Sequence, residues 1–123
     1  MPVRVVVNRA VLALLVAAAV ACEAEPEGGA PFEVEGEPVA TNTVDMPRSY
    51  RFEPAVIEID AGTTVTWTNS DQFPHTVHLL DDSEVDENVP VGESIDIPFE
   101  QPGTVYYECS LHPQEMQGKI IVR

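Results

Sequence analysis

Four side chains with soft or borderline donor atoms are the part of this sequence most able to do chemistry. Cys109, His112 and Met116 lie within eight residues of one another, and His75 offers a second imidazole in another β-prone segment. Thiolate and thioether sulfur favour Cu(I), whereas imidazole nitrogen also holds Cu(II). One Cys, two His and one Met form the trigonal set with a long axial ligand that suits a mononuclear electron-transfer copper site. These residue types therefore predict a metal site of a kind suited to copper.

Each of these residues alone has a commoner structural role. A buried Cys is usually a small core residue, a Met usually fills a core gap, and a lone strand His is usually structural. Only their joint arrangement favours a metal site over these roles. A Cys-His-His site could also hold zinc in vitro.

The segments around these residues have the period-two hydrophobic pattern of β-strands. The run 63–68 is strongly β-prone and places Val65 and Trp67 on one face. No segment has helical periodicity of useful length. Short strands separated by Gly, Pro, Asn and Asp turns predict an all-β fold, a Greek-key β-sandwich or barrel of about seven to eight strands. We expect strands at 56–60, 63–68, 75–80, 95–99, 104–107 and 119–123, and an earlier strand around Val44 and Met46.

Residues 81–88 read DDSEVDEN and stand out by their acidity. Their carboxylates raise the alternative of a calcium site, but the spacing and the Gly of a calcium-binding EF-hand loop are absent. A solvated loop is the better interpretation of this segment.

Four motifs resemble the plastocyanin/amicyanin branch of the cupredoxins, the small blue-copper proteins, over about residues 41–123. They are YRFEP at 50–54, GTTVTWTN at 62–69, FPHTV at 73–77 and YECSLHP at 107–113. The resemblance implies a blue-copper electron carrier in which His75, Cys109 and His112 are the strong ligands and Met116 is the axial one. Three residues separate His112 from Met116, whereas plastocyanin loops usually have four and amicyanin loops two. Alternative axial oxygen donors are Gln114, Glu115 and Gln117.

The surroundings of the ligands can also be anticipated. Backbone amides near Thr76 and Ser110 are expected to hydrogen-bond the Cys109 sulfur or to join the two ligand loops. Strand alternation points His78 away from His75, so His78 is not expected to be a ligand. An apolar collar around the exposed edge of His112, where the resemblance implies that electrons pass, is expected from Phe73, Pro74, Leu111 and Pro113.

The N-terminal residues have the pattern of an export signal. Two arginines precede the apolar run 10–21, which is short for a membrane span and ends in small residues. We therefore expect residues 1–21 to be a signal peptide and the protein to be exported, to the periplasm or the outer face of the cell membrane. Cys22 then becomes the first residue and a candidate for lipidation, the alternatives being a free Cys22 or an uncleaved anchor. Acidic residues, Gly and Pro make residues 22–40 a flexible tether, ahead of a domain at 41–123.

The charge limits the partners. With 21 Asp and Glu against 6 Lys and Arg, the formal charge is −15, or −17 once residues 1–21 are removed. Such a chain is unsuited to nucleic acid or to anionic lipid, so membrane contact is expected only through a lipid at Cys22. It suits a positively charged redox partner, such as a cytochrome or a membrane oxidoreductase. We expect the protein itself to be a monomer.

Composition also separates the function classes. Three histidines in all are too few for a multicopper oxidase or nitrite reductase, and a binuclear copper centre needs a second Cys in the ligand loop. We therefore predict an electron carrier rather than an enzyme. The alternative is a periplasmic or cell-surface copper-binding or delivery protein without an electron-transfer role.

Overall fold

The computed structural model describes residues 29–123, and all regular elements within that range are β-strands. This confirms the all-β fold, with nine strands in the described part where seven to eight were expected. The strands are β1 (Val39–Ala40), β2 (Thr43–Met46), β3 (Val56–Ile59), β4 (Thr63–Asn69), β5 (His75–Leu79), β6 (Asp86–Val89), β7 (Ser94–Phe99), β8 (Gly103–Glu108) and β9 (Gln117–Val122).

The strands form two sheets. One has six strands in the order β1-β3-β9-β8-β5-β6, and the other has three in the order β2-β4-β7. Strands β5 and β8 are antiparallel neighbours, with His78 opposite Glu108. Because antiparallel neighbours run in opposite directions, β5 begins at the end of the sheet where β8 finishes. This topology brings His75, the first residue of β5, to the same place as Cys109, the residue after β8.

Aromatic side chains join the two sheets. Trp67 of β4 and Tyr107 of β8 are fully buried, and their rings meet edge to face with centroids 5.4 Å apart. Phe52 packs on the other side of Tyr107 at 4.6 Å. Burial raises the pKa of the Tyr107 phenol. The phenol therefore stays protonated and acts as a core side chain.

Gly118 is the residue of β9 that lies opposite Tyr107. A Cβ atom at this position would be 2.2 Å from Cζ of Tyr107 and 2.5 Å from its hydroxyl oxygen. The ring thus occupies the space that any larger residue would need. Gly118 is required here by close approach, and this approach fixes β9 against the strand that leads into Cys109.

The prediction of a solvated loop at 81–88 is wrong for residues 86–88. Together with Val89 they form β6, an edge strand paired with β5 in antiparallel register. Only Val89 of this strand is buried, whereas Asp86, Glu87 and Asn88 are exposed. An edge strand with so little burial lacks the hydrophobic alternation by which strands are recognised in a sequence.

The described part of the predicted tether contacts the domain. Val39 and Ala40 form β1, which pairs in parallel with β3, and Phe32 packs edge-on against Tyr106 at 5.7 Å. The predicted signal peptide at residues 1–21 and Cys22 lie outside the described residues. Within residues 29–123 no helix is long and apolar enough to cross a membrane.

Candidate metal centre

The loop between β8 and β9 is a compact turn closed by its own backbone. The Cys109 N–H donates to the Met116 carbonyl oxygen over 3.0 Å, which holds the two ends of the loop together. Within the loop, the His112 N–H donates to the Cys109 carbonyl and the Met116 N–H to the His112 carbonyl, both over 3.0 Å. Three of the four predicted ligands are thus positioned by a single hydrogen-bonded unit.

His75 and Cys109 are already spaced as two ligands of one metal ion. Both side chains are fully buried, and His75 Nδ1 lies 3.9 Å from Cys109 Sγ. With bonds of about 2.0 Å to nitrogen and about 2.3 Å to sulfur, two donors in trigonal geometry lie about 3.7 Å apart. The observed separation therefore fits a metal ion between them.

The other two predicted ligands lie in the loop that begins at Cys109. The His112 ring is half-buried, with its centroid 6.1 Å from that of His75, and Met116 is fully buried. In the described part of the chain, no three His, Cys, Asp or Glu side chains form a ready metal-binding group. A thioether completes the predicted donor set, and the four residues fit a copper ion by donor type. His75 and Cys109 are already spaced as two ligands of one ion.

A carboxylate that the sequence analysis did not identify orients His75. The His75 Nε2–H donates to Asp71 Oδ2 over 2.8 Å, and both side chains are buried. This hydrogen bond, with a second from the Gln72 backbone N–H, holds the pKa of Asp71 below its usual range. With its proton on Nε2, the ring directs the Nδ1 lone pair towards Cys109. A signal for this residue was its place four positions before the predicted ligand.

Asn69 shapes the loop that carries Asp71. Its fully buried amide donates to the carbonyls of Phe73 and Val89 over 2.8 and 2.9 Å. Its side-chain oxygen accepts the Asp71 N–H over 2.9 Å. The loop between β4 and β5 is therefore held against the end of β6 before any metal binds.

Hydrogen bonds around the sulfur agree with the expectation for Thr76 and Ser110. The Thr76 N–H donates to Cys109 Sγ over 3.4 Å. The Ser110 N–H donates to Thr76 Oγ1 over 2.7 Å, which joins the loop after β8 to β5. His78 lies apart from these contacts, as predicted, with its Nδ1 3.4 Å from Glu108 Oε1.

An exposed aromatic cap that the sequence analysis missed covers His112. The Tyr50 ring centroid is 4.5 Å from that of His112 and 6.5 Å from that of Phe73, with which it is stacked. Phe73 and Leu111 are each 54% exposed, and its stacking on Tyr50 places Phe73 beside the cap over His112. Tyr50 reaches this place because Ser49 and Tyr50 both have left-handed backbones, with φ of 83° and 51°. Such angles are uncommon in residues other than Gly, and nothing in the sequence predicts them.

Comparison with known proteins gives a consistent result. A family model described as a cupredoxin-like domain matches residues 10–122. Amicyanin-alpha from Methylorubrum extorquens is 33% identical over 110 residues, which cover 85% of this chain and 91% of that protein. Plastocyanin from Scenedesmus fuscus is 37% identical over 86 residues, covering 58% of this chain and 86% of that protein.

Among solved structures, a novel purple cupredoxin from Nitrosopumilus maritimus superimposes with a TM-score of 0.61 at 28% identity. The match covers 68% of this chain and 100% of that one.

Proposed function

The chain belongs to the cupredoxin-like family, whose members bind one copper ion per chain. We propose that this protein is a one-electron carrier that works outside the cytoplasm. His75, Cys109, His112 and Met116 hold the copper, which supplies a Cu(II)/Cu(I) couple when bound. The spacing of His75 Nδ1 and Cys109 Sγ, 3.9 Å in a fully buried setting, is the observation that carries this proposal.

The residues around the ligands support electron transfer with little rearrangement. Asp71 fixes the His75 ring, and the Thr76 N–H holds the sulfur in place. Ligands fixed in this way keep one geometry in both oxidation states, so the energy needed to reorganise the site is small. Rigid support of the donor set is therefore the contribution of the protein to rapid electron exchange.

Burial also favours a carrier over a copper-delivery protein or an enzyme. Delivery requires the ligands of an acceptor to reach the metal, and an enzyme requires its substrate to do so. His75, Cys109 and Met116 are each 0% exposed. Neither an acceptor protein nor a substrate therefore reaches the metal directly past these side chains. Electrons can still pass through the edge of His112, which is half-buried at the surface.

We propose that the redox partner docks on the face formed by Tyr50, Phe73 and Leu111 around His112. A small apolar face suits a brief encounter, because it binds without the large interface of a stable complex. The net charge of −15 should attract a cationic partner over long distance, such as a cytochrome or a membrane oxidoreductase. Arg51, next to Tyr50 in sequence, is ion-paired with Glu53, which offsets its positive charge.

The partner proposal is tested with small inorganic oxidants of opposite charge. The rate of oxidation by a cationic cobalt complex should exceed that by an anionic iron complex of matched driving force, and should fall as salt is added. Equal rates with both complexes, unaffected by salt, would remove the electrostatic part of this proposal.

The location outside the cytoplasm is a separate proposal, supported by the signal-like residues 1–21. If Cys22 is lipidated, the full chain should partition with membranes, and Cys22→Ala should release it. Cys109→Ser is the matched control, since it changes the other cysteine and should leave partitioning unchanged. A wild-type protein that stays in the soluble exported fraction would contradict lipid anchoring while leaving export intact.

The electron-carrier proposal is tested by the visible and electron paramagnetic resonance spectra of the full-length protein with Cu(II). We expect an intense thiolate-to-copper charge-transfer band that ascorbate bleaches and an oxidant restores. Cys109→Ser should abolish the band. His78→Asn should retain it, because His78 contacts Glu108 rather than the ligand pair. A colourless protein that binds only Cu(I) would overturn the carrier proposal and favour copper delivery.

A further inference from the structure

A line of polar contacts connects an exposed carboxylate to the sulfur of the ligand loop. Ser110 Oγ is 3.1 Å from Asp86 Oδ1 and 2.7 Å from Thr76 Oγ1. Thr76 Oγ1 is in turn 3.7 Å from Cys109 Sγ. The line thus runs from edge strand β6, through two hydroxyl groups, to a side chain that is fully buried.

The order of the protons along this line follows from counting donors. Each hydroxyl has one proton, and a carboxylate can only accept. The Ser110 hydroxyl therefore donates to Asp86, and it can only accept from Thr76. The Thr76 hydroxyl then donates to Ser110 Oγ, so its proton is directed away from Cys109 Sγ.

The backbone reinforces this arrangement. The Ser110 N–H donates to Thr76 Oγ1 over 2.7 Å, which fixes the hydroxyl oxygen between the two loops. The Thr76 backbone N–H still donates to Cys109 Sγ. While Asp86 accepts from Ser110, Thr76 thus gives the sulfur its amide proton and withholds its hydroxyl proton.

We propose that Asp86 is a positioning residue that, through Ser110, keeps the Thr76 hydroxyl from hydrogen-bonding the Cys109 sulfur and so keeps the reduction potential of the site low. The inference rests on the proposed function. A hydrogen bond to a thiolate ligand withdraws electron density from sulfur and favours the reduced metal, so adding one raises the potential. Without the carboxylate, Ser110 is free to donate to Thr76, and Thr76 is free to donate to Cys109.

The test compares Asp86→Ala with Ser110→Ala, because each removes one step of the same line. Both should raise the potential and shift the thiolate-to-copper band to higher energy. At a fixed redox poise, the ratio of reduced to oxidised protein should rise by about fivefold, which corresponds to one net hydrogen bond. The double variant should shift no further than Ser110→Ala, apart from the effect of the lost charge.

Glu87→Ala measures that charge effect, since it removes the same charge from the neighbouring exposed position of β6. If Asp86→Ala and Glu87→Ala gave equal shifts, or if the effects of Asp86→Ala and Ser110→Ala were additive, the proposal would be overturned. Thr76→Ser, which keeps the hydroxyl, should preserve the response to Asp86→Ala.

Proton order can also be observed without copper. In the copper-free full-length protein, the Thr76 hydroxyl proton should show a nuclear Overhauser contact to Ser110, and in Asp86→Ala to the Cys109 β-protons. An unchanged contact would refute the proposed order. Absence of a blue band in the wild type would instead refute the electron-carrier proposal, and the contact would still decide the proton order.

Discussion

Replacing Gly118 by Ala should destabilise the protein far more than an ordinary Gly-to-Ala substitution. The added Cβ would lie 2.2 Å from Cζ of Tyr107, and an ordinary van der Waals contact begins at 3.4 Å, so the ring must move by about 1.2 Å. Tyr107 is fully buried between Trp67 and Phe52, which leaves it little room to move. Overpacking of this kind costs about 3 kcal/mol. For a domain of this size, that loss lowers Tm by roughly 12 to 24 °C.

Urea unfolding of the copper-free protein measures this cost directly, and Gly29→Ala is the matched control. A Cβ at Gly29 meets no atom within 4 Å, so the free energy of unfolding should change by less than about 0.5 kcal/mol. Tyr107→Leu removes the ring atoms and the hydroxyl that the added Cβ would meet, and should partly rescue Gly118→Ala, so that the double variant loses about 2 kcal/mol less than the two single losses combined. A Gly118→Ala variant as stable as Gly29→Ala, or losses at positions 118 and 107 that simply add, would contradict this prediction.

Three further predictions concern the candidate site. The pKa of Asp71 is lower in the folded chain than its unfolded value of about 3.9. The stability that this carboxylate gives the fold is therefore fully present above that value and is lost as pH falls through the folded pKa. Urea midpoints of copper-free Asp71→Asn should therefore decline less steeply than wild-type midpoints between about pH 5 and pH 2, and parallel curves would contradict this. Met116→Gln replaces a soft donor with an oxygen donor that favours Cu(II), so voltammetry should show a lower reduction potential, whereas Gln114→Ala should leave it unchanged. Tyr50→Gly uncovers the His112 ring, so stopped-flow oxidation by a small cobalt complex should become faster, while Tyr50→Phe, which keeps the stacked ring, should react at the wild-type rate.

The fold class and most strands are predictable from the sequence because their evidence is local. A strand such as β4 alternates buried residues with less buried ones, and this alternation is visible in the sequence itself. The proposed ligand set rests on evidence that is also local. Cys109, His112 and Met116 share one loop, and their donor atoms define a chemistry before the chain is folded.

Asp71 and Tyr50 could not be assigned in the same way. The contact of Asp71 with His75 depends on the path of a loop that Asn69 sets through hydrogen bonds to distant carbonyl groups. The position of Tyr50 over His112 depends on left-handed backbone angles at two consecutive non-Gly residues. Neither a loop path nor a backbone angle of this kind leaves a periodic trace in the sequence.

The placement of β6 at the edge of the six-stranded sheet has a consequence for self-association. A bare edge strand offers unpaired amide and carbonyl groups to a second molecule, and proteins commonly prevent such pairing with exposed charge. Asp86 and Glu87 provide two adjacent negative charges at this edge. A second copy pairing here would place its own negative charges opposite them. The strand should therefore resist edge-to-edge aggregation even at high protein concentration, and neutralising both residues should lower the concentration at which oligomers form.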